Sequence, residues 1–187
     1  MLSTKRITNW LVLFVTIAII VTALCGLVYV AVQQNFRQSA NDPQIQMAED
    51  AARELSQDAP PESVLPQHSI DISQSLAPFV VVYNATGQPI ASSALLDGDI
   101  PTPPAGIFDY ASRWGEDRVT WQPRPDVRIA AVVAPYNSGF VLAGRSLREV
   151  EKREHKLGLQ VFLVWLASIA VIVVSLVISI LLLLFIS

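Results

Sequence analysis

The sequence predicts an α+β fold in which two helices of membrane-spanning length flank an antiparallel sheet of five short strands, preceded by a long amphipathic helix. Three observations carry this expectation. Residues 10–32 and 159–186 are long apolar runs without a single charge. All 12 prolines fall between Pro43 and Pro135, so both runs are unbroken while the middle is punctuated by turns. From Phe79 onward, short β-branched and aromatic segments alternate with turn compositions.

The apolar runs fix where everything else can fold. About 20 helical residues cross the hydrocarbon core of a bilayer, and neither run keeps the polar face a soluble core helix needs. The second, at 1.5 Å per residue, reaches about 42 Å and has to tilt or protrude. The first continues well past the 7–15 residues typical of a signal-peptide core and ends in Tyr29, Val30, Ala31, Val32 and Gln33 rather than at a small-residue cleavage site. Bulky Leu24 before Cys25 argues against a lipoprotein site. The run therefore reads as an uncleaved anchor.

Lys5 and Arg6 precede the first run, whereas Arg37 alone follows it closely, so the positive-inside bias places the N-terminus in the cytoplasm. Residues 1–9 are then a cytoplasmic N-terminus, 10–32 the first transmembrane helix, 33–157 an extracytoplasmic domain and 158–186 the second transmembrane helix. Arg145, Arg148, Lys152, Arg153 and Lys156 cluster on the outer side in this topology. Glu149, Glu151 and Glu154 are interspersed with them, and long loops translocate largely regardless of charge. The predicted location is the cell membrane, crossed twice, with the lipid bilayer as the first partner.

All 16 acidic residues and 11 of the 13 basic ones lie between the runs, leaving that stretch five charges negative. Such a balance excludes a nucleic-acid partner, whose phosphates require clustered Lys and Arg. Cys25, the only cysteine, lies within the first run, so neither a disulfide framework nor a thiolate metal site is expected.

Along the middle, Asn41-Asp42-Pro43 offers an N-cap and a first-turn proline, and Ile45, Ala48, Ala52 and Leu55 recur at helical spacing, predicting a helix over 43–56. Residues 58–66 are Pro-rich loop, and 69–76 read as a short second helix. Residues 79–83, FVVVY, form a strand; Asn84-Ala85-Thr86-Gly87 is a turn, and 89–95 return antiparallel. Residues 105–114 predict a helix presenting Ile107, Phe108 and Ala111. Three more strands follow at 118–122, 127–134 and 139–144, with turns at 123–126 and 135–138. With the helices on one side, this is an α+β antiparallel sheet. Ser146-Leu147-Arg148-Glu149 has the form of a capping box, and the helix it opens has only Gly158 as a break before the second run.

FVVVYNATG at 79–87, Ala91-Ser92-Ser93, Pro103-Pro104-Ala105-Gly106-Ile107, Val119-Thr120-Trp121-Gln122-Pro123 and GRSLREVE at 144–151 together resemble the extracytoplasmic PAS-like region, of single Cache or PDC type, of bacterial sensor histidine kinases. The likeness covers most of 43–186. It implies two transmembrane helices flanking a PAS-like five-stranded antiparallel sheet with a long N-terminal helix. Asn84 stands where similar domains often have Asp, and Asp126 where glycine would suit the turn. Such receptors continue into a HAMP-like linker and a kinase or methyl-accepting module. These 187 residues carry neither a histidine phosphoacceptor region nor a nucleotide-binding glycine box, so no kinase activity is expected of them. A receptor fragment, a split gene product and a stand-alone protein signalling through a partner all fit.

Catalytic chemistry is not predicted. Gly144-Arg145-Ser146-Leu147-Arg148 departs from the nucleophile elbow at Arg148, where glycine is required. His68 and His155 have no partner at zinc-ligand spacing, so no metal is expected, and no cofactor either. Asn84-Ala85-Thr86 matches a glycosylation sequon that the turn alone explains. If a small-molecule ligand binds, the PAS-like resemblance places it over the sheet and makes Trp121, Arg128 and Tyr136 its candidate contacts, with Arg128 able to fork onto an anion. Two functions remain open. One is a non-catalytic sensor passing a ligand or partner signal to the second transmembrane helix, with a homodimer or a membrane or cytoplasmic signalling protein as partner. The other is an accessory or scaffold protein that docks a partner without signalling.

Overall fold

The computed structural model describes residues 4–39 and 41–186, with the side chains of 4–7, 37–39, 183, 184 and 186 outside the description. Lys5, Arg6 and Arg37, on which the orientation argument rests, are among those side chains, and Ser187 also lies outside. The chain forms two compact units, one of Met1–Asn35 with Arg153–Ser187 and the other of Phe36–Lys152.

The first unit is a pair of helices, α1 (Thr4–Ser39) and α4 (Arg148–Ile186). Their stretches Thr8–Phe36 and Arg148–Leu182 are long and apolar enough to cross a membrane, and the apolar surface is not buried within the chain. The helices run antiparallel: Trp165 Nε1 donates to Thr22 Oγ1 at 3.0 Å, and the Tyr29 ring lies over Gly158. Phe14, Ala18, Val21, Cys25 and Tyr29 on α1 and Val161, Trp165, Ser168, Ile172, Ser175 and Ser179 on α4 are half-buried. Spacings of three and four residues place these side chains along one face of each helix. Four hydroxyls of the two helices are satisfied locally, because Thr16, Thr22, Ser168 and Ser179 each donate to the carbonyl four residues earlier at 2.7–2.8 Å. An apolar solvent demands such satisfaction.

The second unit contains α2 (Asp42–Leu55), a 3-10 turn (Pro61–Val64), β1 (Ile70–Asp71), β2 (Phe79–Asn84), β3 (Pro89–Ser92), β4 (Ala94–Leu95), α3 (Gly106–Trp114), β5 (Asp117–Arg124), β6 (Val127–Tyr136) and β7 (Gly139–Ser146). Five strands form one antiparallel sheet in the order β3-β2-β7-β6-β5, so the last strand in sequence lies at its centre. Phe79 to Asn84 pair with Gly144 to Gly139, and Ile129 to Tyr136 pair with Ser146 to Gly139.

The helices do not share one side of the sheet, as the sequence reading expected; α2 covers one face and α3 the other. Val80, Val82, Val132, Ala134, Val141 and Ala143 meet Ala48, Ala51, Ala52 and Leu55 of α2. Phe79, Val81, Tyr83, Ile129, Ala131, Val133, Phe140 and Leu142 meet Phe108 and Ala111 of α3. The three central strands are apolar on consecutive residues, so both their faces need cover. Each large side chain removed from water in this way stabilises by about 1.5–3 kcal/mol. α3 ends at Gly115, whose left-handed φ of 87° lets its N–H donate to Ala111 O at 2.8 Å.

Several local expectations change. Residues 69–76 are no helix: Ile70 and Asp71 pair parallel with Ala94 and Leu95 as a second, two-stranded sheet. The Asp71 carboxylate takes the Ser73 N–H at 2.8 Å and its hydroxyl at 2.7 Å, a local turn that outcompetes a helix. The return strand of the hairpin breaks at Ser93, whose hydroxyl accepts from Val80 N–H at 2.9 Å and redirects the chain into β4. Asn41 makes no side-chain cap on α2. Nor does the capping box form as written. Glu151 N–H bonds Leu147 O at 2.9 Å, which makes Leu147 the cap residue of α4, and Ser146 Oγ takes the Arg148 N–H at 3.3 Å.

Candidate functional site

The three side chains expected to contact a ligand are not brought together. Trp121 is 8% exposed in the core beneath α3. Arg128, on the same sheet but turned outward, is exposed. Tyr136 lies at the far end of β6, half-buried against the α2 side, with its hydroxyl 3.4 Å from Tyr83 O. Desolvation raises its phenol above the ordinary tyrosine range. The sheet face under α3 is filled by Phe79, Tyr83, Phe108, Trp121 and Phe140. The Phe108 ring packs tilted against two others, its centroid 4.9 Å from that of Tyr83 and 5.0 Å from that of Phe140. Tyr83 is fully buried and donates to Pro101 O at 2.8 Å, and burial raises its phenol far above the usual range.

Polar contacts converge instead where α4 leaves the sheet. Leu147 N–H donates to Arg128 O at 2.8 Å, and Arg128 Nη1 donates to Glu151 Oε1 at 2.6 Å. From the first residue of α4, Arg148 Nη2 donates to Ser73 O at 3.1 Å and Gln74 O at 3.0 Å. Both carbonyls belong to the turn that Asp71 organises. The bonds from Ser73 hold the Asp71 carboxyl below the ordinary aspartate range, and the nearby Arg124 guanidinium acts in the same direction. Arg124 also forms an ion pair with Asp97. Through β1–β4 and these pairs, the segment 70–76 and the loop after β4 are linked to the start of α4. The capping-box form of 146–149 signalled a helix starting here; nothing in the sequence signalled that Arg148 reaches back to residues 73 and 74.

Two further surface features stand apart from this junction. A cleft of about 260 Å³ lies between α2 and residues 63–66, with Met47, Leu65 and Val80 in its walls and Asp50 and Glu54 beside them. On α3, Trp114 is 73% exposed beside Tyr110, ring centroids 6.3 Å apart. Large aromatic rings left in water commonly mark contact surfaces. His68 and His155 are both exposed. Among the described residues, no group of three His, Cys, Asp or Glu side chains is placed to hold a metal ion.

Comparison of the chain with protein-family models, with curated proteins and with solved structures finds no match.

Proposed function

We propose that this chain is a two-pass membrane protein, N-terminus in the cytoplasm, whose central α+β domain works outside the cytoplasm as a non-catalytic, PAS-like input module and passes its state to α4. The observation that carries the reading is the junction. β7 is the central strand of the sheet, and α4 follows it after Leu147 as one uninterrupted helix through Ile186. Its first turn is held by Arg128 from β6 and itself holds the turn at 73–74. A shift of either segment therefore acts on the first turn of α4.

A protein partner suits this domain better than a buried metabolite. The face beneath α3 is occupied by the chain's own aromatic side chains, whereas the Tyr110–Trp114 pair is presented outward. Trp is the residue most enriched at energetically dominant contact points. A scaffold that merely docks a partner accounts for the aromatic pair but gives no role to the ties at Arg128 and Arg148.

The test begins with topology. In a Cys25→Ser background, a cysteine introduced at exposed Ser112 should react with a membrane-impermeant maleimide in intact cells. Reaction only after lysis rules the input reading out. With topology established, blocking Trp114 by Trp114→Ala should abolish partner capture, and Arg148→Ala should leave capture intact while removing the downstream response.

A further inference from the structure

The negative charge of the central domain is not spread evenly. Residues 42–69 carry six carboxylates, Asp42, Glu49, Asp50, Glu54, Asp58 and Glu62, against the single cation Arg53. This segment alone is therefore five charges negative, and the rest of 33–157 is balanced. α2, Val64 and Leu65 pack on one face of the sheet and α3 on the other, so the excess gathers on the side away from the Tyr110–Trp114 pair. Within the same segment lies the cleft of about 260 Å³ between α2 and residues 63–66. Met47, Val64, Leu65 and Val80 give it apolar walls, the first three half-buried and the last buried. Asp50 and Glu54 stand along one side, both exposed, and their spacing of four residues makes them neighbours on one helix face.

Small-molecule pockets typically enclose about 300–1,000 Å³, so this cleft suits one long side chain better than a whole metabolite. An apolar side chain would strip water from the two carboxylates and return no hydrogen bond, and an anion would be repelled. A basic side chain answers both parts of the cleft, because its hydrocarbon stem lies along apolar surface while its charged end stays at the polar rim. Arginine does this better than lysine, since its planar fork of five N–H donors can bond two carboxylates at once. The rim already takes a guanidinium from within the chain: Arg53 Nη1 donates to Asp50 Oδ1 at 3.0 Å. Both members of that pair are well exposed, so an incoming arginine displaces it at little cost. We propose that the cleft receives an arginine side chain from a basic segment of a partner polypeptide, its stem on Met47, Val64 and Leu65 and its guanidinium between Asp50 and Glu54. This pairing depends on the central domain alone and not on the side of a membrane it occupies, so it can fail without the input reading failing, and the reverse.

The full-length protein in an uncharged detergent, titrated against a fluorescein-labelled Leu-Arg-Ala-Arg-Leu peptide, provides the test. Fluorescence anisotropy should rise and saturate with this peptide and stay flat when citrulline, its uncharged counterpart, replaces arginine. Neutralising both carboxylates with Asp50→Asn and Glu54→Gln should weaken binding about two- to thirty-fold, the range for two exposed ion pairs. Met47→Ala removes apolar wall and no charge, and it should weaken binding about four-fold, the worth of one buried methylene. Asp99→Asn with Asp109→Asn makes the same change in net charge at exposed positions away from the cleft, and it should leave the affinity unchanged. An equal loss in both neutralised pairs would mean attraction by net charge alone and would overturn the proposal. So would an unaltered affinity in Met47→Ala, equal binding of the citrulline peptide, or no saturable binding of the arginine peptide.

Discussion

Arg128 of β6 and Glu151 of α4 form an ion pair at 2.6 Å that joins the sheet to the first turns of the exit helix. Both side chains are nearly half exposed, at 48% and 41%. Solvent screening therefore limits what the pair adds to stability, and its consequence is positional. A double-mutant cycle of Arg128→Ala and Glu151→Ala, read by denaturant unfolding of the central unit, should give a coupling of about 0.5 kcal/mol that shrinks in high salt. A coupling of several kcal/mol would make the pair a structural necessity rather than an adjustable tie.

Much of this architecture was legible in the sequence, and the parts that were not share a cause. Charge-free runs, proline placement and the turns at 84–87, 123–126 and 135–138 report local backbone preference, and they located the apolar helices, α2, α3 and the five strands of the main sheet. Both-face burial was also written there: FVVVY at 79–83, IAAVVA at 129–134 and FVLAG at 140–144 run apolar on consecutive residues instead of alternating. What local preference cannot supply is pairing across the chain. Ile70–Asp71 meets Ala94–Leu95, and Arg148 meets residues 73 and 74, only because the sheet has already brought those segments together. Trp121, Arg128 and Tyr136 failed to converge for the same reason, since residues on one strand pair are divided between two faces and two ends.

Two glycines of β7 are explained by close approach rather than by backbone conformation. A Cβ at Gly144 would overlap the Phe79 ring, and one at Gly139 would overlap the Tyr83 carbonyl and the Asn84 backbone. Gly144→Ala should cost about 1–3 kcal/mol and be partly rescued by Phe79→Leu, which removes the ring. Gly139→Ala should be at least as costly and gain nothing from Phe79→Leu. Unfolding midpoints of the four variants check both statements.

Gln44, in the first turn of α2, is fully buried, and neither its Nε2 nor its Oε1 has a hydrogen-bond partner among the described residues. An unsatisfied buried amide costs about 1–3 kcal/mol. Gln44→Met keeps the shape and removes the polar atoms, so it should raise the stability of the central unit by about 1–2 kcal/mol. A loss of stability would mean that an internal water satisfies the amide.

The Asp71 turn predicts a pH dependence with a definite sign. Its folded-state carboxyl is more acidic than in the unfolded chain, so the unfolded state binds the proton first as pH falls. The stabilisation is fully present above the ordinary aspartate value of about 3.9 and is lost as pH drops below it through the depressed folded value. The difference in melting temperature between wild type and Asp71→Ala should be constant at neutral pH and shrink below about pH 3.9. A difference that grows on acidification contradicts the assignment.

Hydrogen exchange tests the central claim of rigid continuity from sheet to helix most directly. With the full-length protein in lipid vesicles, amides 148–156 should be protected to the same degree as those of β7, and Arg128→Ala should lower protection in 148–156 alone. Exchange of 148–156 at open-chain rates, with β7 still protected, would show a flexible hinge at the junction and contradict the account.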